Sequence, residues 1–412
     1  MSERGCRPVT ITDVQTILTA PAGIRLVVVK VLTSEPGLYG LGCATFTQRA
    51  LAVATAIESY LKPFAIGRDV DRIDDLYQAA HVSSYWRSGP VLNNALSGLD
   101  EALWDIKGKR ANMPVYQLLG GKVREAVPVY VHASGRDPIE VEDRARAYLE
   151  QGFRYVRCQM AIAGLTTYGS RGGATVQALD PAQTRTWEPG PYVRAVPRLF
   201  DHLRSTLGDD VELLHDVHER IPASDGLWLA RALEEHRLFF LEDLFAPEDV
   251  AYFALARQQT ATPLAMGELF VNPAEYVPLI KDRLIDFIRV HISDIGGFTV
   301  ARKLAAFCEY MGVRTAWHGP GDVSPVGHAA NMHLDLASPN FGIQELALMD
   351  DAVREVFPGT PDVHDGAMWA NDLPGWGVDI DEAQAARYPF KEEPGNGYWP
   401  EIRRLDGTVI RP

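Results

Sequence analysis

Residues 211–220 read "VELLHDVHER", an apolar run that ends in ionisable side chains. A short apolar run of this kind is typical of a strand in a parallel sheet that is buried on both faces. Asp216 stands at the carboxyl end of this predicted strand. In α/β barrels that end of each strand carries the catalytic groups, so the stretch predicts both a barrel strand and a functional site.

Two later stretches repeat this pattern. The run "LFFLEDL" carries Glu242 near its end, and the run "TPLAMGE" ends in Glu268. Asp216, Glu242 and Glu268 are each 26 residues from the next, which is the length of one strand–helix unit. Because consecutive parallel strands are neighbours and end at the same edge, we expect three carboxylates at one level that point to one centre.

Short apolar runs alternate with helical stretches over the whole region after "GGKVREA". Eight parallel strands are the number that closes a TIM-type barrel. One helix start is also marked, because Asn272 can be an N-cap, Pro273 fits the first helical position and Glu275 fits the third. The eight runs are "VPVYVHA", "FRYVRCQ", "VELLHDV", "LFFLEDL", "TPLAMGE", "IDFIRVHI", "VRTAWHG" and "FGIQELA".

The region before the barrel has a different pattern. "IRLVVVKVLT" reads as a strand, while "ALAVATAIESYL" and "VLNNALSGLDEALWDIKGK" carry apolar residues at helical spacing. We therefore assign a small α+β domain to residues 1–124 and the barrel to residues 125–366. Residues 367–412 form a C-terminal segment that we expect to pack back on the first domain or on the barrel rim.

Composition limits the possible partners and the compartment. The chain has 412 residues and a formal net charge of −14, which argues against nucleic acid or an anionic membrane as a partner. The four cysteines are far apart and form no CxxC pair, so neither a zinc site nor a disulfide framework is indicated. The N-terminus "MSERGCRPVT" has no apolar core of a signal peptide, and we expect a cytoplasmic protein.

Three converging carboxylates repel each other unless a cation lies between them. A site of oxygen ligands with room for water suits Mg²⁺, so we expect Asp216, Glu242 and Glu268 to bind Mg²⁺. The alternative is that each acid only caps a helix or pairs with an arginine. The regular spacing of three acids, each at the end of a predicted strand, favours the metal site.

Further polar residues fall at the same predicted barrel end. His218 is two residues after Asp216, so both face the site if the strand stays extended, while His215 and Val217 face the helix layer. A histidine beside a metal carboxylate suits acid–base chemistry. Asp322, in "GPGDVSP", is a site residue or only a turn residue. The other strand ends carry His132, Arg157, Gln159, Arg289, His318 and Glu345.

One connection is unusually long. Between Gln159 and about Pro191 the sequence shows little periodicity, and a loop of that length in a compact barrel is usually a lid or a binding loop. We interpret it as a lid because it follows a strand end on the predicted active face. A surface insertion without function is the alternative.

The predicted site suits chemistry next to a carboxylate. Mg²⁺ held by three acids can bind a substrate carboxylate and stabilise the enediolate that forms when the α-proton leaves. The next step depends on the neighbouring groups: an acid under the β-hydroxyl gives dehydration, and a second base on the opposite face gives racemisation.

The chain resembles the enolase superfamily, and within it the mannonate dehydratase family that includes the RspA-type proteins. "ALWDIKGK" followed by "PVYQLLGG" is similar to the junction between capping domain and barrel in that superfamily. The segments that carry the family resemblance span nearly the whole chain: "YWRSGP" (85–90), "TTYG" (166–169), "LLHDVHER" (213–220), "LEDLFAPE" (241–248), "HGPGDVSPV" (318–326) and "NFGIQE" (340–345).

This resemblance implies an α/β fold, a modified TIM barrel of the (β/α)7β type with an N-terminal α+β capping domain. It implies Mg²⁺ on Asp216, Glu242 and Glu268. Tyr168 in the long loop then acts with Arg157 as the base, and His218 is the acid that expels the 3-hydroxyl. We expect Arg157 to lower the pKa of Tyr168 rather than to carry the proton itself. The positions that match substrate contacts are His132, Arg289, His318, Asp322 and Glu345.

Three departures from the family pattern all concern the fit of the substrate. The C-terminal tail ends "DGTVIRP" without the tryptophan that often closes the site. Thr47 stands where an asparagine is usual, and Ser293 and Asp294 stand where a Thr-His pair is expected after the sixth barrel strand.

Four functions remain open. The first is a Mg²⁺-dependent dehydratase that converts D-mannonate or D-gluconate into a 2-keto-3-deoxy acid. The second is a lyase of the same chemistry that acts on another acid sugar. The third is a racemase or cycloisomerase, and the fourth is a regulatory or sensing protein that binds metal without catalysis. The fold alone does not choose between them. Family likeness also implies a homo-oligomer.

Overall fold

The computed structural model describes residues 8–162, 185–390 and 402–411. Its N-terminal part begins with an antiparallel sheet whose middle strand pairs with both neighbours. The four valines between Val27 and Val31 of the middle strand are all buried, as expected for a strand covered on both faces. The strands are β1 (Ile11–Thr19), β2 (Leu26–Thr33) and β3 (Tyr39–Cys43).

Helices pack on one face of this sheet. The longest helix, α4, lies unusually close to β3 because Gly40 and Gly42 of β3 and Gly98 of α4 have no side chains at the contact. A Cβ atom built on Gly42 would lie 2.1 Å from the carbonyl oxygen of Gly98. A π turn (Ile57–Leu61) joins α1 to α2 into one longer helix. The helices are α1 (Ala50–Ala56), α2 (Lys62–Ala65), α3 (Ile73–Val82), α4 (Pro90–Ala111) and α5 (Val115–Leu118).

Eight parallel strands then form a ring. The first seven pair in sequence, the eighth pairs with the first, and a bridge between Thr315 and Phe341 closes the gap between the seventh and the eighth. All eight predicted runs are therefore confirmed as barrel strands. They are β4 (Val127–Gly135), β5 (Tyr155–Met160), β7 (Glu212–Asp216), β8 (Phe240–Glu242), β9 (Leu264–Met266), β10 (Phe287–Ile288), β11 (Arg314–Thr315) and β12 (Gln344–Glu345), while β6 (Arg185–Thr186) lies outside the ring.

Each of the first seven ring strands is followed by a helix, so the (β/α)7β architecture is confirmed. The predicted start of α10 is also confirmed: the Asn272 side chain accepts a hydrogen bond from Ala274 N, and Glu275 accepts one from Asn272 N. The helices are α6 (Pro138–Glu150), α7 (Pro189–Leu207), α8 (Ala223–Ala232), α9 (Tyr252–Gln259), α10 (Pro273–Lys281), α11 (Phe298–Met311) and α12 (Pro325–Ala337).

The C-terminal segment contacts both earlier parts of the chain. Strand β14 pairs with the start of β4, at the end of the barrel opposite the predicted site. The indole nitrogen of Trp376 donates to the carbonyl oxygens of Leu41 and Glu101 in the N-terminal part. The elements of this segment are β14 (Ala367–Trp369), α14 (Glu382–Ala385), β15 (Ile402–Arg403) and β16 (Val409–Ile410), and they follow α13 (Asp351–Val356) and β13 (Asp362–His364).

The inside of the barrel is filled rather than hollow. Buried side chains from the ring strands plug its lower part, which leaves the polar residues above them at the carboxyl ends of the strands. No helix in the described ranges is long and apolar enough to cross a membrane. The plug consists of Tyr130, Leu214, Phe240, Ala265, Phe287, Ala316 and Ile343.

Candidate active site

Two of the three predicted carboxylates lie side by side. Asp216 and Glu242 end neighbouring strands and are register partners across the parallel pair β7–β8. Both side chains are buried, and Asp243 follows directly. Carboxylate oxygens of Asp216, Glu242 and Asp243 all lie within 4.8 Å of one another. The strand-end pattern therefore predicted that Asp216 and Glu242 are neighbours, and the third member of this cluster is Asp243 rather than Glu268.

The Asp216 carboxylate has an unusual environment for a buried charge. Within the described part of the chain neither of its oxygens accepts a hydrogen bond, and Arg157 Nη1 lies 3.5 Å from Oδ2. Its neighbour His215 points the other way, as expected: Nδ1 lies 2.9 Å from Cys158 O and Nε2 lies 2.7 Å from the Tyr192 hydroxyl on α7.

Glu268 lies beside this cluster and contacts three cationic or titratable groups. Its Oε1 is 3.0 Å from His218 Nε2, and its Oε2 is 2.9 Å from Arg289 Nη1 and 3.3 Å from His318 Nε2. Burial alone would raise the pKa of Glu268, but these neighbours outweigh it and hold the pKa well below its usual value. Glu268 is therefore an ionised carboxylate at the same end of the barrel, where the carboxyl ends of the strands surround what we call the opening.

Two buried guanidinium groups bridge the acids. Arg157 Nη1 lies 2.7 Å from Glu242 Oε1 and 3.4 Å from Glu345 Oε1. Arg289 Nη2 lies 2.8 Å from Glu242 Oε1 and 2.6 Å from Glu345 Oε2. Burial opposes the charge of both arginines, but the facing carboxylates raise their pKa values above the ordinary arginine value. Both therefore stay charged.

The remaining predicted contact residues surround the same opening. His132 Nε2 lies 3.0 Å from Glu345 Oε1, and His318 Nε2 lies 3.8 Å from Glu345 Oε2. Asp322 lies in the loop before α12, where the Thr47 hydroxyl of the N-terminal part donates to its Oδ2 at 3.0 Å. Gln159 instead donates to the backbone oxygen of Asp216 at 3.1 Å, so it supports the site from behind.

His218 reaches the site by a route that differs from the expected extended strand. Strand β7 ends at Asp216, and His218 and Glu219 have φ angles of 53° and 50° in the left-handed region. The imidazole still lies against Glu268. Burial lowers the pKa of His218, but the Glu268 carboxylate more than compensates and raises it. The position suits a group that donates a proton.

Residues 163–184 of the long loop, which include Tyr168, lie outside the described residues, so the predicted base and the predicted lid stay predictions. Sequence reasoning also missed two residues. Tyr130 donates to Glu242 Oε2 at 3.2 Å, and His291 Nδ1 lies 3.1 Å from His318 Nδ1. Each lies two residues from a predicted site residue, His132 or Arg289, and this spacing of two is the signal that could have found them.

Carboxyl groups are in excess over guanidinium groups at this opening. Among the described residues, the carboxyl groups of Asp216, Glu242, Asp243, Glu268 and Glu345 face two guanidinium groups and the imidazole of His218, whose pKa is raised. A divalent cation would reduce the excess, and the two Asp216 oxygens without hydrogen bonds are suitable ligand atoms. The residues present therefore fit a Mg²⁺ site.

Comparisons with known proteins identify the superfamily to which the chain belongs. A family model described as "Enolase C-terminal domain-like" matches residues 140–384, and one for the "Mandelate racemase / muconate lactonizing enzyme, N-terminal domain" matches residues 4–120. The chain therefore belongs to the enolase superfamily, and the resemblance seen in the sequence is confirmed.

Individual relatives show to which family within the superfamily the chain belongs. The D-galactonate dehydratase family member RspA of Pantoea ananatis is 57% identical and covers 98% of this chain and 99% of its own. A family member of Salmonella enteritidis PT4 is 55% identical and covers 98% of each chain. The crystal structure of an enolase from P. ananatis with bound D-gluconate and Mg is 55% identical, with a TM-score of 0.93 over 98% of this chain and 100% of that chain. This chain is thus an acid-sugar dehydratase, a hydro-lyase, of the D-galactonate dehydratase family.

Proposed function

We propose that the protein is a Mg²⁺-dependent dehydratase of D-mannonate, D-gluconate or both, and that its product is 2-keto-3-deoxy-gluconate. The observation that carries this proposal is the excess of buried carboxylates around Asp216, with His218 held against Glu268 at 3.0 Å. The relative from P. ananatis whose structure contains D-gluconate and Mg supports both the substrate class and the ion.

Asp216, Glu242 and Glu268 would hold the Mg²⁺. The ion would supply positive charge for the substrate carboxylate, where negative charge develops when the C2 proton leaves. Arg157 and Arg289 already bridge Glu242 and Glu345 and fix the side-chain positions around this opening. In this proposal His132, Arg289, His318, Asp322 and Glu345 contact the substrate and orient its hydroxyl groups.

The proposed reaction uses two proton transfers. Tyr168 removes the proton from C2, and the permanently charged Arg157 favours the tyrosinate. His218 gives its proton to the 3-hydroxyl, which leaves as water while the C3–O bond breaks. The resulting enol rearranges to the 2-keto acid. His218 is buried and its Nε2 lies 3.0 Å from Glu268 Oε1, so in this proposal the imidazole is held next to a substrate bound at the metal site.

A second candidate is the same reaction on another acid sugar. It is favoured by the residues at the far side of the opening, where Thr47 pairs with Asp322 and where Asp294 stands in place of the expected histidine. The relatives named after D-galactonate make that sugar part of any test.

The substitution His218→Asn tests the proposed reaction. We expect keto-acid formation to fall by about 10²- to 10⁴-fold, since this is what one general acid contributes and its loss leaves the leaving group without a proton. Exchange of the C2 proton with D₂O should persist, because Tyr168 and the metal ligands are intact. His202→Asn, at a partly exposed histidine that pairs with Glu142, is the matched control. Unchanged dehydration by His218→Asn would refute the assigned acid.

A further inference from the structure

A second group of acids lies next to His291, which contacts the edge of His318 that does not face Glu268. His291 Nδ1 lies 3.1 Å from His318 Nδ1 and 3.9 Å from Asp294 Oδ2. His291 also acts electrostatically on Asp322, where it opposes the rise in pKa that burial causes. Asp294 and Asp322 therefore face the same histidine and form an acidic wall at this end of the opening. We call these two residues the distal acids.

The N-terminal part of the chain holds both distal acids in place. The side-chain amide of Asn94, on α4, donates to Asp294 Oδ1, and Asn93 donates to the Asp294 backbone oxygen at 2.6 Å. Thr47 donates to Asp322 Oδ2 at 3.0 Å. These contacts use neutral donors, so they position the carboxylates without neutralising them.

The distal acids also keep acceptor capacity for a ligand. Asp322 Oδ1 is buried and has no hydrogen-bond partner in the described part of the chain. Within the same described ranges, neither distal acid forms an ion pair with an arginine or a lysine. A buried acceptor of this kind is costly unless a donor satisfies it, and a hydroxyl group of a bound sugar is a suitable donor.

We propose that Asp294 and Asp322 set the charge specificity of the site. This inference rests on the proposed function, in which the substrate carboxylate binds at the Mg²⁺ end. The far end of an aldonate is a hydroxymethyl group, which donates hydrogen bonds to the distal acids. The far end of an aldarate is a second carboxylate, which meets two like charges. The site therefore accepts singly charged aldonates and rejects doubly charged aldarates.

The test compares sugars that differ only at the far carbon. Full-length protein with Mg²⁺ is titrated calorimetrically with D-gluconate and D-glucarate, then with D-mannonate and D-mannarate, and with D-galactonate and galactarate. Keto-acid formation is followed in parallel. We expect the wild type to bind the preferred aldonate at least about 100-fold more tightly than its aldarate, since opposed like charges cost several kcal/mol.

The variants Asp294→Asn and Asp322→Asn should each lower that ratio by about tenfold or more, mainly through tighter binding of the aldarate. Asparagine keeps the shape of the side chain, and far-ultraviolet circular dichroism checks that each variant is folded. Asp143→Asn, at an exposed position of α6, is the matched control and should leave the ratio unchanged.

Three outcomes separate this inference from the proposed function. Equal binding of aldonate and aldarate by the wild type, or an unchanged ratio in both folded variants, overturns the role of the distal acids. Selective aldonate binding without turnover of any sugar supports the distal acids and overturns the proposed reaction. Failure of the protein to bind any of the three aldonates overturns both.

Discussion

The hydroxyl of Tyr130 joins the floor of the barrel to the proposed metal site: it donates to Glu242 Oε2 at 3.2 Å and accepts from Arg289 Nε at 3.1 Å. The side chain is fully buried in the plug of the barrel, so its hydroxyl has a fixed position. Tyr130 thereby orients the carboxylate of Glu242 from below.

The variant Tyr130→Phe should weaken Mg²⁺ binding about tenfold, because partners that orient a ligand typically contribute this much to metal affinity. Isothermal titration with Mg²⁺ in the absence of substrate measures the effect directly. Tyr155→Phe, at a half-buried tyrosine packed on Phe239, serves as the control and should bind Mg²⁺ like the wild type. Equal Mg²⁺ affinity in both variants would show that the contact does not position Glu242.

Glu268 and Asp243 are the two candidates for the third metal ligand beside Asp216 and Glu242. Asp243 Oδ1 accepts from Gly267 N at 3.0 Å, and burial raises its pKa well above the ordinary value. Glu268 faces the cationic side of the opening and is ionised. We expect Glu268→Gln to weaken Mg²⁺ binding at least about tenfold more than Asp243→Asn, measured by the same titration. The reverse order would assign the metal to the cluster of Asp216, Glu242 and Asp243 instead.

Asp100 on α4 caps a helix of the barrel. Helix α11 begins after Gly297, which provides no side-chain cap, and Asp100 Oδ2 accepts from Thr299 N at 2.7 Å. Burial raises the pKa of Asp100 to about 7, although the hydrogen bonds from Thr299 oppose the shift. The folded state thus binds this proton more tightly than the unfolded chain, and the stability that the group provides is lost as the pH rises from about 4 through about 7.

Asp100→Asn keeps an acceptor for Thr299 N but has no charge. Relative to the wild type, its free energy of unfolding should therefore improve between about pH 5 and about pH 8, by about 1 to 4 kcal/mol. Urea unfolding at both pH values measures the difference, with the exposed Asp143→Asn as the control. A difference that is constant with pH would mean that Asp100 titrates alike in the folded and unfolded states.

Close packing of α4 on β3 makes a further prediction about stability. A Cβ atom on Gly42 would lie 2.1 Å from Gly98 O and 2.9 Å from Ala102 N. Both of these are backbone atoms of α4, which cannot move away without separating the helix from the sheet. Gly42→Ala should therefore cost about 3 kcal/mol or more. At Gly190 the added atom meets only the end of the Arg194 side chain, at 3.2 Å, so Gly190→Ala should change stability by less than about 0.5 kcal/mol. Similar thermal midpoints for the two variants would contradict this account.

The barrel and the pair Asp216–Glu242 could be predicted because the signal is local. An apolar run followed by an acid marks a strand end, and the regular spacing of the runs places these ends at one edge. The structure confirms the register partnership of the two residues. The start of α10 at Pro273 was predictable for the same reason, since all the capping residues lie within four positions.

The detailed arrangement of the site could not be predicted, because it depends on where the chain turns after each strand. His218 lies in a left-handed turn, and Gly267 has a φ angle of 140° directly before Glu268. The backbone conformation of these turns determines which carboxylate oxygens lie within contact distance of the imidazole and guanidinium groups. The bridging positions of Arg157 and Arg289 depend on contacts between strands far apart in the sequence, and no spacing rule contains them.

The most direct test of the central claim is product formation in D₂O, followed by proton NMR. The wild-type protein with Mg²⁺ is incubated with D-gluconate, D-mannonate and D-galactonate in turn. We predict that the 2-keto-3-deoxy acid forms from D-gluconate, D-mannonate or both, that EDTA stops the reaction and that added Mg²⁺ restores it. If no sugar gives a keto acid while calorimetry shows that Mg²⁺ binds, or if product forms equally well in EDTA, a Mg²⁺-dependent dehydratase acting on D-mannonate or D-gluconate is contradicted.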